Sequence, residues 1–160
     1  MLKRLMQTDD SIGLFLVRVF LGLVIFPHGA QKLVGWFGGH GFAWTMDFFT
    51  QRLGIPAPLV VLVILAESFG ALALIFGFLG RIGAFGTLCV MLGAIFIVHL
   101  PHGFFMNWYN QPQGEGIEYH LLAIGMALAV MVQGSGRFSV DRWLSARGDA
   151  GAGRPTTPGA

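Results

Sequence analysis

The stretch Leu59–Leu79, LVVLVILAESFGALALIFGFL, decides the fold. It is apolar with one charge, Glu67, and it is as long as the roughly 20 residues a helix needs to cross the hydrocarbon of a bilayer. No polar face recurs along it at helical spacing, which excludes a surface helix of a soluble protein. Lipid is therefore the expected solvent for this segment.

The rest of the chain repeats the pattern. Ile82–Leu100 is apolar with His99 near its end, Ser11–Pro27 carries Arg18, and Tyr119–Gln133 is short but ends at the turn Gly134-Ser135-Gly136. The expected architecture is an all-α integral membrane protein, a four-transmembrane-helix bundle with spans near 11–33, 59–79, 82–100 and 118–133. Residues 1–10 form an amino end and 143–160 a flexible tail rich in Gly, Ala, Pro and Thr beyond Gly148. Composition agrees. The 160 residues are 54% hydrophobic and 11% charged, against about a quarter charged in soluble domains. So short a chain cannot hide that much apolar surface in a water-soluble core. The net charge of +2 sits mainly at helix ends and does not point to nucleic acid. The lone Cys89 excludes dithiol exchange of the CxxC type and reads as a core residue. The opening Met1-Leu2-Lys3-Arg4 resembles a signal peptide, but no A-x-A site follows and the first helix reads as retained.

Orientation follows from the basic residues. Lys3, Arg4, Arg81, Arg137, Arg142, Arg147 and Arg154 fall on one side, and Lys32 and Arg52 on the other. Both termini are then cytoplasmic, and Trp36, Trp44, Trp108, Tyr109 and Tyr119 lie at the outer interface. In the long first outer loop, Phe42, Met46, Phe49 and Leu53 recur at helical spacing, which predicts a short interfacial helix. It reads as a cap on the bundle or as a lid over a site. The small residues Gly83, Gly86, Gly93 and Gly125 suit either internal helix packing or a homo-oligomer.

Two constellations call for chemistry. Arg18 and Glu67 are charges inside spans, each costing about 3 kcal/mol at a helix centre. Counted from Pro27 and from Leu59, they lie roughly 13 Å and 12 Å deep at 1.5 Å per residue. Equal depth predicts a pair, either a structural ion pair or a proton-handling carboxylate held by an arginine. The second constellation is the histidines. His28, His40, His99, His102 and His120 all fall on the outer side, with Lys32 one turn beyond His28 and Glu115 and Glu118 before His120. Imidazoles and carboxylates gathered on one membrane face can pass protons, bind a quinone, or, as His28, His99 and His120 with Glu118, hold a metal. No diagnostic metal-ligand spacing such as HExxH or CxxC is present, and Pro101 separates His99 from His102.

The same residues carry a family resemblance. Arg18-Val19-Phe20-Leu21-Gly22, the run Pro27-His28-Gly29 through Gln31-Lys32 to Trp36-Phe37-Gly38-Gly39, Ala66-Glu67-Ser68-Phe69-Gly70, Val98-His99-Leu100-Pro101-His102-Gly103-Phe104-Phe105 and Gly116-Ile117-Glu118-Tyr119 together resemble the DoxX family over about residues 11–142. The resemblance implies a four-helix bacterial inner-membrane protein similar to the DoxD-type membrane subunit of thiosulfate:quinone oxidoreductase. Other members are linked to oxidative-stress defence beside soluble redox partners. At the position of His102 the family more often has Asn.

Two functions are expected. In the first, a quinone enters from lipid and accepts hydrogen bonds from His28, Lys32, His99 or His120. Glu67, Glu118 or a histidine exchanges the protons. Arg18, Tyr119 and the aromatics Phe26, Trp36, Phe104 and Phe105 complete the pocket. No flavin or haem motif is present, so a substrate or a soluble redox subunit supplies the electrons. In the second, the bundle is a non-enzymatic anchor for a soluble redox enzyme, or passes a small solute.

Overall fold

A computed structural model describes residues 5–110, 112 and 114–152. All elements are helical, with no strand among the described residues. The long helices are α1 (Ile12–Val34), α3 (Ala57–Phe76) and α4 (Gly80–His102), each long and apolar enough to cross a membrane. The shorter apolar α5 (Glu118–Gln133) follows, and with it the protein is a four-helix membrane bundle. The predicted loop helix is present as α2, an α-helix Gly41–Asp47 continued by a π turn Phe48–Arg52. A further helix, α6 (Val140–Ala152), occupies much of what was expected to be a flexible tail from residue 143. Residues 153–160, and with them Arg154, lie outside the described residues, as do Lys3 and Arg4.

Each boundary has a local cause. Ser11 caps α1, its hydroxyl accepting from the Leu14 amide at 3.2 Å. At the other end Gly35 adopts φ 78°, the left-handed conformation that stops a helix. Pro27 lies inside α1 without ending it. Prolines are tolerated in membrane helices, so the span runs on to Val34. Pro56 precedes the first turn of α3, where a missing N–H is no loss.

The helices form a ring. α5 packs against α4 and α1, α1 against α3, and the second half of α3 against α4. Glycines set the close approaches. A Cβ on Gly83 would lie 2.6 Å from the Gly70 carbonyl, and one on Gly86 3.1 Å from Ala66. Leu21, Ile25, Leu74, Ala84, Ala127 and Val130 fill the centre, while Phe20, Leu62, Phe69, Phe76, Phe85 and Leu122 point outward, as lipid-facing side chains do.

One end of the ring is tied by Arg18, which is fully buried. Its guanidinium donates to the carbonyls of Ser135 (2.6 Å), Leu74 (2.7 Å), Ile75 (2.6 Å) and Phe138 (2.7 Å). Beside it the buried Asp141 accepts from the amides of Leu79 (2.7 Å) and Gly80 (3.0 Å) and from the Ser135 hydroxyl (2.6 Å). Asp141 thus caps α4 from another helix, where an anion is favoured. Arg81 adds bonds to the carbonyls of Met131, Val132 and Gln7.

This overturns the expected pairing of Arg18 with Glu67. The depth of Arg18 was counted from Pro27, but α1 continues to Val34. Arg18 is therefore about sixteen residues, roughly 24 Å, from that end, and its charge is taken up by carbonyls at the opposite end of the bundle.

Candidate functional site

At the far end from Arg18 the ring does not close. The first half of α3, Ala57–Leu65, rests on α1 and α2 rather than on α4. Beyond the Ala66–Gly86 contact, α3 and α4 therefore diverge into a V. A groove of about 1540 Å³ follows this seam, and its walls are overwhelmingly apolar. The polar residues that line it are His28, Lys32, Glu67, His99, Glu115, Tyr119 and His120, contributed by all four spans and the loop before α5.

Glu67 pairs with Lys32 at 2.5 Å, with the lysine side chain 19% exposed and the glutamate 7%. The Lys32 ammonium also reaches the His28 carbonyl at 3.5 Å. Gly29 allows this pair to form. A Cβ there would collide with the Glu67 backbone, so α1 and α3 touch at the level of the carboxylate. The His28 ring lies 6.5 Å from that of Tyr119, Tyr119 lies 5.4 Å from His120, and His120 lies 4.2 Å from His99. His99 Nδ1 bonds the Glu115 carbonyl at 2.8 Å. A carbonyl only accepts, so Nδ1 carries the hydrogen, and in the neutral ring Nε2 is an acceptor.

Besides Ser68 Oγ, Arg81 Nε and the ion-paired Glu67 Oε2, two buried polar atoms at the head of the groove, Tyr119 Oη and His120 Nδ1, have no hydrogen-bond partner. Such atoms are rare in folded proteins because desolvation without a partner is unfavourable. Here they flank a groove large enough for a ligand. Both Glu67 and His99 sit on π turns, Ala66–Gly70 and Ile95–His99, inside otherwise regular spans. Single π turns within α-helices are frequent at functional sites, and this one lets the adjacent Glu67 and Ser68 both face inward.

The DoxX family matches residues 13–100, more than half of the sequence. The chain belongs to the DoxX family. Inner membrane protein YqjF of Escherichia coli (strain K12) is 27% identical over 140 residues, covering 88% of this chain and 98% of that protein. CatD of Bacillus subtilis (strain 168), provisionally designated an oxidoreductase, is 30% identical over 102 residues, 64% of this chain and 71% of its own. No solved structure matches significantly.

In this DoxX protein the site is smaller than the sequence reading. His28, Lys32, Glu67, His99, Tyr119 and His120 are together. Arg18 is at the other end. Trp36 and Phe104 are 60% and 49% exposed and do not line the groove, nor do Phe26 and Phe105. Glu118 accepts from the Met106 amide at 3.0 Å and so folds the preceding loop instead of facing the groove. His40 lies against Trp44 at 4.2 Å, and His102 packs beside Gly114. No group of three potential ligands fit to hold a metal occurs among the described residues. Cys89, expected in the core, is exposed and lines the groove. Sequence reasoning missed Asp141, whose signal is its place in the first turn of a helix after Ser139, and the Lys32–Glu67 pair, whose signal is Gly29.

Proposed function

We propose that this chain is a quinone-linked redox protein of the bacterial inner membrane, with both termini cytoplasmic and the histidine end outward. A quinone ring would occupy the head of the V between α3 and α4. The observation that carries the reading is the pair of unpartnered buried atoms, Tyr119 Oη and His120 Nδ1, on the wall of an apolar groove. A phenol hydroxyl donates to a quinone carbonyl. An imidazole nitrogen lacking a hydrogen accepts from the hydroxyl of the reduced ring. The acidic and basic groups beside them, Glu67, Lys32 and His28, suit exchange of the two protons that accompany two-electron reduction. His99 Nε2 offers a further acceptor. The electrons come from outside the chain, from thiosulfate or a similar reduced sulfur anion or from a soluble redox subunit.

The test is titration of the purified, folded protein with a soluble benzoquinone, followed by thiosulfate, with quinone absorbance as the readout. Saturable binding weakened by Tyr119→Phe and His28→Ala supports the reading. Folded protein that binds no quinone removes it. The second reading, an anchor for a soluble redox enzyme, is favoured by the exposed Phe105, Trp108 and Tyr109 on the loop before α5. It predicts that substitutions in that loop release the partner without touching quinone binding.

A further inference from the structure

Glycines inside the spans differ in what surrounds them, and Gly70 and Gly13 make only ordinary contact. Gly22, Gly29, Gly83 and Gly86 each face another helix so closely that a Cβ would meet its atoms at 3.1 Å or less. These are packing glycines of the usual membrane type. Gly93 is different, because a Cβ there would meet nothing within 4 Å. Glycine inside a helix is unfavourable relative to alanine, and no neighbouring helix explains it here. Gly93 does line the groove, on the α4 wall of the V, one helical turn from Cys89 and one from Ile97. The other wall is the first half of α3, where Leu59, Leu62 and Val63 line the groove.

We infer that Gly93 is a gate residue. The gap between the first half of α3 and Gly93 is the passage through which the hydrocarbon chain of a membrane-dissolved ligand leaves the site, and the missing side chain keeps it wide. The inference rests on the quinone reading above and adds the route and the ligand class, a para-quinone bearing a long alkyl or isoprenoid chain. The ring sits at the histidine end, where the buried His120, 6% exposed, presents its unpartnered nitrogen. Its chain then follows the apolar walls of the groove, sideways into lipid. Beyond the gap the groove continues as a trough between Phe69 and Phe85, both more than half exposed, where the chain can lie.

The test compares two probes on purified protein, a decyl-substituted dimethoxybenzoquinone and the same ring bearing only methyl groups. Gly93→Trp should weaken binding of the decyl compound on the order of tenfold, the effect of one side chain filling a passage. Binding of the methyl compound should be unchanged. Gly125→Trp, at the other uncrowded glycine of the spans, should change neither. Equal effects of Gly93→Trp on both probes, or on neither, overturn the gate while leaving the quinone site standing. Wild-type protein that binds neither probe removes the quinone site and the gate with it. A decyl quinone with a diazirine on the chain tests the unaltered protein. Photolabelling of residues 59–63 or 93–97 supports the route, and labelling confined to other segments refutes it.

Discussion

Replacing Arg18 by methionine separates two accounts of the buried charge. In the structure the guanidinium makes four short bonds to backbone carbonyls, two on α3 and two in the turn between α5 and α6. A hydrogen bond to a charged group contributes about 1.5–3 kcal/mol, so losing four at the lower figure costs about 6 kcal/mol. Methionine avoids the roughly 3 kcal/mol of placing a guanidinium in the bilayer. The net destabilisation is then about 3 kcal/mol, a hundredfold or more in the unfolding equilibrium. The assay is reversible unfolding in mixed detergent and denaturant, followed by helical circular dichroism. The decisive measurement is the double variant with Glu67→Gln. The carbonyl partners Leu74 and Ile75 lie seven and eight residues from Glu67, about 10–12 Å along α3. The two changes should therefore add to within about 0.5 kcal/mol. A coupling of about 3–5 kcal/mol, as expected when one member of a buried ion pair is removed, would show that Arg18 and Glu67 are partners and would refute the carbonyl account.

Further outcomes follow from the same geometry. Lys32→Met strands Glu67 and should destabilise by about 3 kcal/mol or less, given that Lys32 is partly exposed; adding Glu67→Gln should restore most of the loss in the same unfolding assay. Gly29→Ala forces a methyl group into the Glu67 backbone and should cost about 1–3 kcal/mol, with weakened quinone binding because the carboxylate shifts. Asp141→Asn turns one acceptor oxygen into an NH2 that faces a donor and should cost about 1.5–3 kcal/mol or more, read as a lowered melting temperature with quinone binding unchanged. Tyr119→Phe removes a hydroxyl with no partner, so stability should hold or rise; quinone affinity should fall about five- to tenfold, the worth of one hydrogen bond.

The bundle was legible because lipid imposes a coarse rule. Every backbone group in the bilayer must be satisfied within its own helix, so uninterrupted apolar length is enough to find α1, α3 and α4. Alternation of four spans then puts His28, His99 and His120 at one end without further knowledge. What failed was pairing. The first span was placed near 11–33, and α1 runs Ile12–Val34, but the depth of Arg18 was counted from Pro27, which does not end α1, and so was misjudged by about two turns. Arg18 found carbonyls, which carry no sequence signature. The aromatics Trp36, Phe104 and Phe105 were assigned to a pocket by neighbourhood in sequence, yet none of them lines the groove. Glu118 was assigned by type, and its position in the first turn of α5 gives it backbone amides to hold instead.

The V between α3 and α4 shows how small residues encode both closure and opening. Ala66, Gly70, Gly83 and Gly86 hold the two helices in contact through one half of the bundle, and the Arg18–Asp141 network fixes the same end through backbone atoms. Beyond Ala66 the α3 sequence turns to Leu65, Val63, Leu62 and Leu59, side chains too large for close approach. The helices must separate there, and the π turn carrying Glu67 begins where contact ends. A rigid end and a divergent end in one four-helix ring leave the divergent end free to vary its width. A glycine on its wall with no helix to meet keeps that width available to a ligand rather than to a side chain. Gly93 differs from Gly83 and Gly86 in facing no other span, and from the equally open Gly125 in lining the groove.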